Sequence, residues 1–136
     1  MRINLDSDAL AKGTLVNPGW YPCKITKYEE KAAATDRSTN AIVSLTILVG
    51  ESKGAGGSRL FNEKAMGFAK NFLIALGAKI IDDGKGGKKL SGELDKNLEG
   101  KMVDVYFARG VSNKGNEFND AKDFAPIGTN SGYKAA

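Results

Sequence analysis

Lys64-Ala-Met-Gly-Phe-Ala-Lys-Asn-Phe-Leu-Ile-Ala-Leu76 is the one long helical pattern in the sequence. Ala65, Phe68, Ala69, Phe72, Leu73 and Leu76 recur at spacings of three and four, which predicts a helix with a single apolar stripe. Asn62 stands where an N-cap belongs, and Gly77 suits the left-handed residue that closes a helix. Three strand-like stretches precede this helix and two follow it. One helix against a small, strongly bent sheet leaves a short menu of folds.

Upstream of the helix, Arg59 to Phe61 reads as a short third strand after a glycine-rich connection, Gly50 to Ser58. The second strand, Ala41 to Val49, places Val43, Leu45, Ile47 and Val49 on one face. Glu29 to Asn40 carries charge and small residues without a core pattern, so an exposed hairpin loop is expected. The first strand, Trp20 to Tyr28, turns Tyr21, Cys23 and Ile25 one way and Trp20, Lys24, Thr26 and Tyr28 the other. Pro22 cannot donate to a ladder, which predicts a bulge or an unpaired end there. Residues 1–18 form a lead-in, with a turn capped by Asp6 and ended by Gly13.

Downstream comes a brief apolar piece, Ala78 to Ile81, then a flexible basic loop, Asp82 to Lys89, and a turn of helix within Leu90 to Leu98. The fourth strand, Lys101 to Ala108, alternates cleanly, with Val103, Val105 and Phe107 inward and Met102, Asp104 and Tyr106 outward. Ser112 to Gly115 is a hairpin turn leading to a fifth strand, Asn116 to Phe124. The chain thus divides into the lead-in, one domain over 19–126, and a tail over 127–136 expected to be disordered. The fold class is mainly β. Three strands, a helix and two strands is the order of the OB-fold, a five-stranded antiparallel barrel with one α-helix between strands three and four. A half-open barrel with a separate helix satisfies the same order.

Composition narrows the chemistry. At 136 residues, 41% of them apolar and 26% charged, the chain suits one soluble domain. No apolar run approaches the ~20 residues that cross a bilayer. The first residues lack a signal peptide's apolar centre, so a cytoplasmic location without membrane attachment is expected. Histidine is absent and Cys23 is the one cysteine, which removes the usual general base and any zinc site. Gly54 to Arg59 and Gly84 to Lys89 lack both the phosphate-loop and the dinucleotide spacing. Asp82 and Asp83 are adjacent and point apart, a poor magnesium pair. Neither a cofactor nor an enzymatic role is expected.

Interleaved rings and cations remain. Trp20, Lys24 and Tyr28 share the outward phase of the first strand, and Tyr106 that of the fourth, its neighbour in such a barrel. Arg59 and Phe61 share a phase on the third strand. Arg109, Lys114 and Phe118 lie on the closing hairpin, Arg37 in the first loop and Lys64 at the helix start. Rings accept any base at about 1–3 kcal/mol each, and cations track phosphates. With a net charge of +4, this predicts binding of single-stranded DNA, with RNA also compatible. The opposing reading packs Trp20 beneath the Pro18-Gly19 turn, sets Phe61 over the helix start and closes the core with Phe118. On that reading Lys85, Lys88 and Lys89 are a solvated loop, and Asp104 beside Tyr106 repels phosphate.

Several short motifs, in this order, resemble a known family: Pro18-Gly19-Trp20-Tyr21-x-Cys23-x-Ile25, the glycine-rich hairpin after the second strand, and the helix ending Leu76-Gly77. They continue with Leu98-Glu99-Gly100-Lys101-x-Val103-x-Val105 and Gly115-Asn116-Glu117-Phe118-Asn119. Over about residues 3–126 the chain is similar to small phage-encoded single-stranded DNA-binding proteins, long catalogued as a domain of unknown function near phage replication and recombination genes. The resemblance implies an OB-fold that coats single strands during replication or recombination, with which self-association and phage replication or recombination partners are compatible. The chain ends Gly-Tyr-Lys-Ala-Ala, without the acidic tail by which many single-strand-binding proteins recruit partners. The alternative is a phage accessory module that holds a protein partner on the same barrel.

Overall fold

A computed structural model describes residues 14–33, 36–64 and 67–134. The turn expected between Asp6 and Gly13, and the first turn of the helix at Ala65 and Met66, lie outside the described residues. The strands are β1 (Gly19–Ala32), β2 (Thr39–Ile47), β3 (Gly56–Asn62), β4 (Ile80–Asp82), β5 (Lys88–Leu90), β6 (Met102–Val111) and β7 (Glu117–Ala125). The helix α1 (Gly67–Ala75) falls between β3 and β4. Five strands make one antiparallel sheet in the order β3-β2-β1-β6-β7, while β4 and β5 form a separate ribbon where a loop was expected. Within 90–98 the helical turn is a 3-10 turn, Lys96–Leu98, capped by the Asp95 carboxylate, which accepts the Asn97 N–H at 2.8 Å.

Alternation builds the core. Cys23 and Ile25 of β1, Val43, Leu45 and Ile47 of β2, and Val103, Val105 and Phe107 of β6 are all buried on one face. From α1 come Ala69, Phe72 and Leu73. Phe61, Phe72 and Phe124 stack as a trio, with centroids 5.2 Å, 4.7 Å and 6.3 Å apart. Such ring pairs add about 0.5–1.5 kcal/mol each beyond the area they bury. The helix ends as Gly77 predicts: its φ is 101°, its N–H bonds the Ile74 carbonyl, and Ala78 N–H reaches back to Leu73. The apolar stripe is narrower than its spacing suggests, for Phe68 is 65% exposed. Cys23 lies fully buried, and burial first, then the nearby Asp104 charge, pushes its thiol far above the ordinary range.

One bulge resets the phase of β1. The β1–β2 register slips between Ile25 and Lys27, so Thr26 is the extra residue and Tyr28 swings inward. Of the two outcomes expected at Pro22, the bulge is instead at Thr26, and Pro22 lies just beyond the end of the β1–β2 ladder, which begins at Cys23. Pro22 stays in register opposite Asp104, and its carbonyl accepts the Leu48 N–H at 2.9 Å. Pairing of β1 with β6 ends at Lys24, and beyond it a Glu99 carboxylate oxygen accepts the Tyr28 N–H at 2.9 Å.

The closed barrel expected from the element order is not found. Among the described residues no ladder joins the edge strands β3 and β7. Side chains bridge them instead: Asn119 Nδ2 donates to the Gly56 carbonyl at 2.9 Å, and an Arg59 terminal nitrogen donates to the Ala121 carbonyl at 3.2 Å. A second bulge at Lys122, where Phe107 faces Ala121 but Tyr106 faces Asp123, bends β7 along this seam. Gly57 is required there, because a β-carbon would stand 2.6 Å from the Asn119 carbonyl oxygen.

Expected as a disordered tail, the segment 126–134 instead lies over the outer side of β6. The side chain of Asp104 is outward in phase yet fully buried, accepting N–H bonds from Gly128, Asn130 and Ser131 and the Ser131 hydroxyl at 2.6–3.0 Å. Burial alone would raise its pKa, but the bonds from Ser131, Gly128 and Asn130 outweigh that and hold it below the ordinary carboxylate value. Among the described residues no helix is long and apolar enough to cross a membrane.

Gly57→Ala should cost about 1–3 kcal/mol in urea unfolding, since backbone faces the added methyl. Asp104→Asn, which keeps the shape but loses the charge, should cost about 1–3 kcal/mol. Because the folded Asp104 pKa is depressed, its contribution is present above about pH 4 and fades as pH falls through the lower folded value. Unfolding curves across that acid range should show the decline in the parent and a smaller one in the variant.

Candidate nucleic-acid interface

The outer face of β1 and β6 carries the ring pair. Trp20 sits directly opposite Tyr106 in the ladder, and their rings meet edge to face at 5.7 Å. Both are half-buried, so each ring keeps solvent-facing surface. The next outward row, Pro22 and Asp104, is buried, with 126–134 bonded over Asp104. Beyond it Lys24 stands between Met102 and Thr46, and the face continues through Thr26, Lys27, Ser44 and Ser58.

Cations on this face are weakly engaged. Glu29 sits between Lys27 at 2.8 Å and Lys31 at 3.6 Å, which raises the Lys27 pKa and lowers that of Glu29. Exposed pairs of this kind are screened by water and salt, so they hold Lys27 and Lys31 only weakly.

The remaining predicted residues divide by environment. Tyr28 and Phe61 were expected on the binding surface and are corrected to core residues, 4% and 2% exposed. The Thr26 bulge turns Tyr28 inward, where its hydroxyl bonds Glu30 and the Leu94 carbonyl. Burial and then Glu30 push its phenol well above the ordinary value. Phe61 stacks on Phe72, the central ring of the Phe trio, at 5.2 Å. Arg59 sits in the β3–β7 seam, its guanidinium 5.7 Å from the Phe61 ring and 5.3 Å from that of Phe68. Arg37 is exposed in the β1–β2 turn with a φ of 61°. Lys64 is tied to the same turn by Asp36 at 2.8 Å, and Lys64 first, then Ser38, hold that carboxyl at a pKa of about 2.

At the β6–β7 hairpin Lys114 is exposed in the turn, and Phe118, 42% exposed, covers Gly110. Arg109 donates to the Val16 carbonyl at 3.1 Å and lies 3.7 Å from Glu117, so it is partly committed to structure. The structure thus unites Trp20, Tyr106 and Lys24 on one face and leaves the other candidates at the two hairpins and the seam. It adds Phe68, an exposed ring beside Arg59 that helical spacing assigns to the core.

Among the described residues no three acidic or cysteine side chains are grouped to hold a metal ion. No protein-family model matches this sequence, and neither does any curated protein.

The two classes of ring separate by stability. Phe61→Ala should lower unfolding free energy by about 3–5 kcal/mol, whereas Trp20→Ala, half-exposed at the surface, should lower it by well under half of that. Equal losses in urea titrations would place Trp20 in the core.

Proposed function

We propose that this chain binds single-stranded nucleic acid without sequence preference, DNA in the phage replication or recombination setting that the resemblance implies, on an OB-type frame. The observation that carries the reading is the Trp20–Tyr106 pair on the outer sheet face, with Lys24 further along β1. Ring faces stack any base, and ammonium groups further along the face, Lys24 and Lys27, compensate phosphates. The frame is compatible with it: the five antiparallel strands run in the order β3-β2-β1-β6-β7. The β1–β2 and β6–β7 hairpins take the places of the two loops with which OB domains hold a strand, while the rings lie on β1 and β6 rather than on the second and third strands. The net charge of +4 has the right sign. Binding of this kind needs no bond-making chemistry, and the role is one of coating and protecting a strand.

Titration with oligo-dT should quench Trp20 fluorescence, and affinity should fall with salt at a logarithmic slope of about −0.7 per phosphate contacted. Trp20→Ala and Tyr106→Ala should each weaken binding by about 1–3 kcal/mol. Duplex DNA should bind more weakly at equal salt. Binding that is flat between low and moderate salt, or unchanged in both variants, would refute the proposal.

A further inference from the structure

A concavity of about 530 Å³ opens between the β1–β2 hairpin, α1 and the segment 90–94. Tyr28, Phe61, Leu73 and Leu94 give it an apolar floor. Glu30, Glu63 and Glu93 stand at its rim. The volume is that of a ligand site, which runs from about 300 to 1,000 Å³. Two of the carboxylates are held in place, Glu30 by the Tyr28 hydroxyl at 2.8 Å and Glu63 by the Thr39 N–H at 2.7 Å. Each uses one oxygen, Oε1, for that bond. Among the described residues none of the three is in a salt bridge, although the chain as a whole is cationic.

We infer that this cavity receives a segment of a partner protein that presents a lysine or arginine beside an apolar side chain. Three uncompensated carboxylates repel a phosphate backbone, so this is not a second nucleic-acid groove. They are not grouped as metal ligands either. What they do complement is an organic cation, and the floor beneath them removes an aliphatic side chain from water. Fixed acceptors around a preformed apolar hollow lose little freedom on binding, which favours a short segment. The inference stands apart from the nucleic-acid reading, because none of these residues lies on the Trp20–Tyr106 face.

The test is a backbone amide NMR titration of the full chain with acetyl-Leu-Lys-Leu-Arg-amide, alongside acetyl-Leu-Glu-Leu-Glu-amide. Saturable shifts around Ala41, Phe61, Leu73 and Leu94 are expected with the first peptide only. The double variant Glu63→Gln, Glu93→Gln should bind it about tenfold more weakly. The amide oxygen that Glu63→Gln introduces still accepts the Thr39 N–H. Glu93→Gln alone, outside any described hydrogen bond, should give a smaller loss in the same direction. Oligo-dT affinity should not fall in either variant, so failure here and failure of DNA binding are separate results. No saturable shifts, equal response to both peptides, or unchanged affinity in the variants would overturn the inference. So would the same shifts appearing on raising protein concentration alone, which would give the cavity to a second copy of the chain.

Discussion

The fold depends on a seam that is stitched by side chains. β3 and β7 end the sheet on its two edges, and each presents unpaired backbone groups that must be satisfied as the sheet curls around its core. Asn119 meets that demand at one point. Its amide donates to Gly56 and to Thr14, and its side-chain oxygen accepts from Val16, so one buried side chain joins β7, β3 and the segment before β1. Arg59 does the same at the next point, its guanidinium donating to the Ala121 carbonyl at 3.2 Å.

From this constraint follows the arrangement of the surface. Curling the sheet turns one face inward for Phe61, Phe72 and the valines, and leaves the other to Trp20, Tyr106 and Lys24. The Thr26 bulge then decides where β1 changes allegiance. Before it, β1 serves both β2 and β6; after it, β1 pairs with β2 alone, which stays paired with β3, and the inner side of this part of β1 carries Tyr28 and Glu30. The ring face and the acidic hollow therefore belong to opposite sides of one bent strand. That separation lets a chain of net positive charge present two surfaces of unlike chemistry.

Much of the sheet is legible from the sequence. Val43, Leu45 and Ile47, like Val103, Val105 and Phe107, alternate so regularly that strand phase can be read directly, and the pairing of Trp20 with Tyr106 comes with it. Gly77 announces the helix end through its conformation. Other features carry no side-chain signal. Nothing marks Thr26 as the extra residue of a bulge, so strand phase alone puts Tyr28 on the wrong face. The partners that bury Asp104 are mostly backbone amides of Gly128, Asn130 and Ser131, which any sequence possesses, so 126–134 reads as a tail. Phe61 of β3 and Phe68 of α1 exchange their expected places because Phe124 of β7 packs against Phe61 and Phe72, while Phe68 is left on the exposed side of the helix beside Arg59.

The lone thiol has a practical corollary. Sealed between β2 and β6 and held in its protonated form, Cys23 offers no thiolate to an electrophile while the fold is intact. Burial and the raised thiol pKa should therefore make the folded chain slow to react with maleimides. A cysteine introduced at either hairpin tip becomes the sole attachment point for a dye or spin label, with no need to remove the natural one.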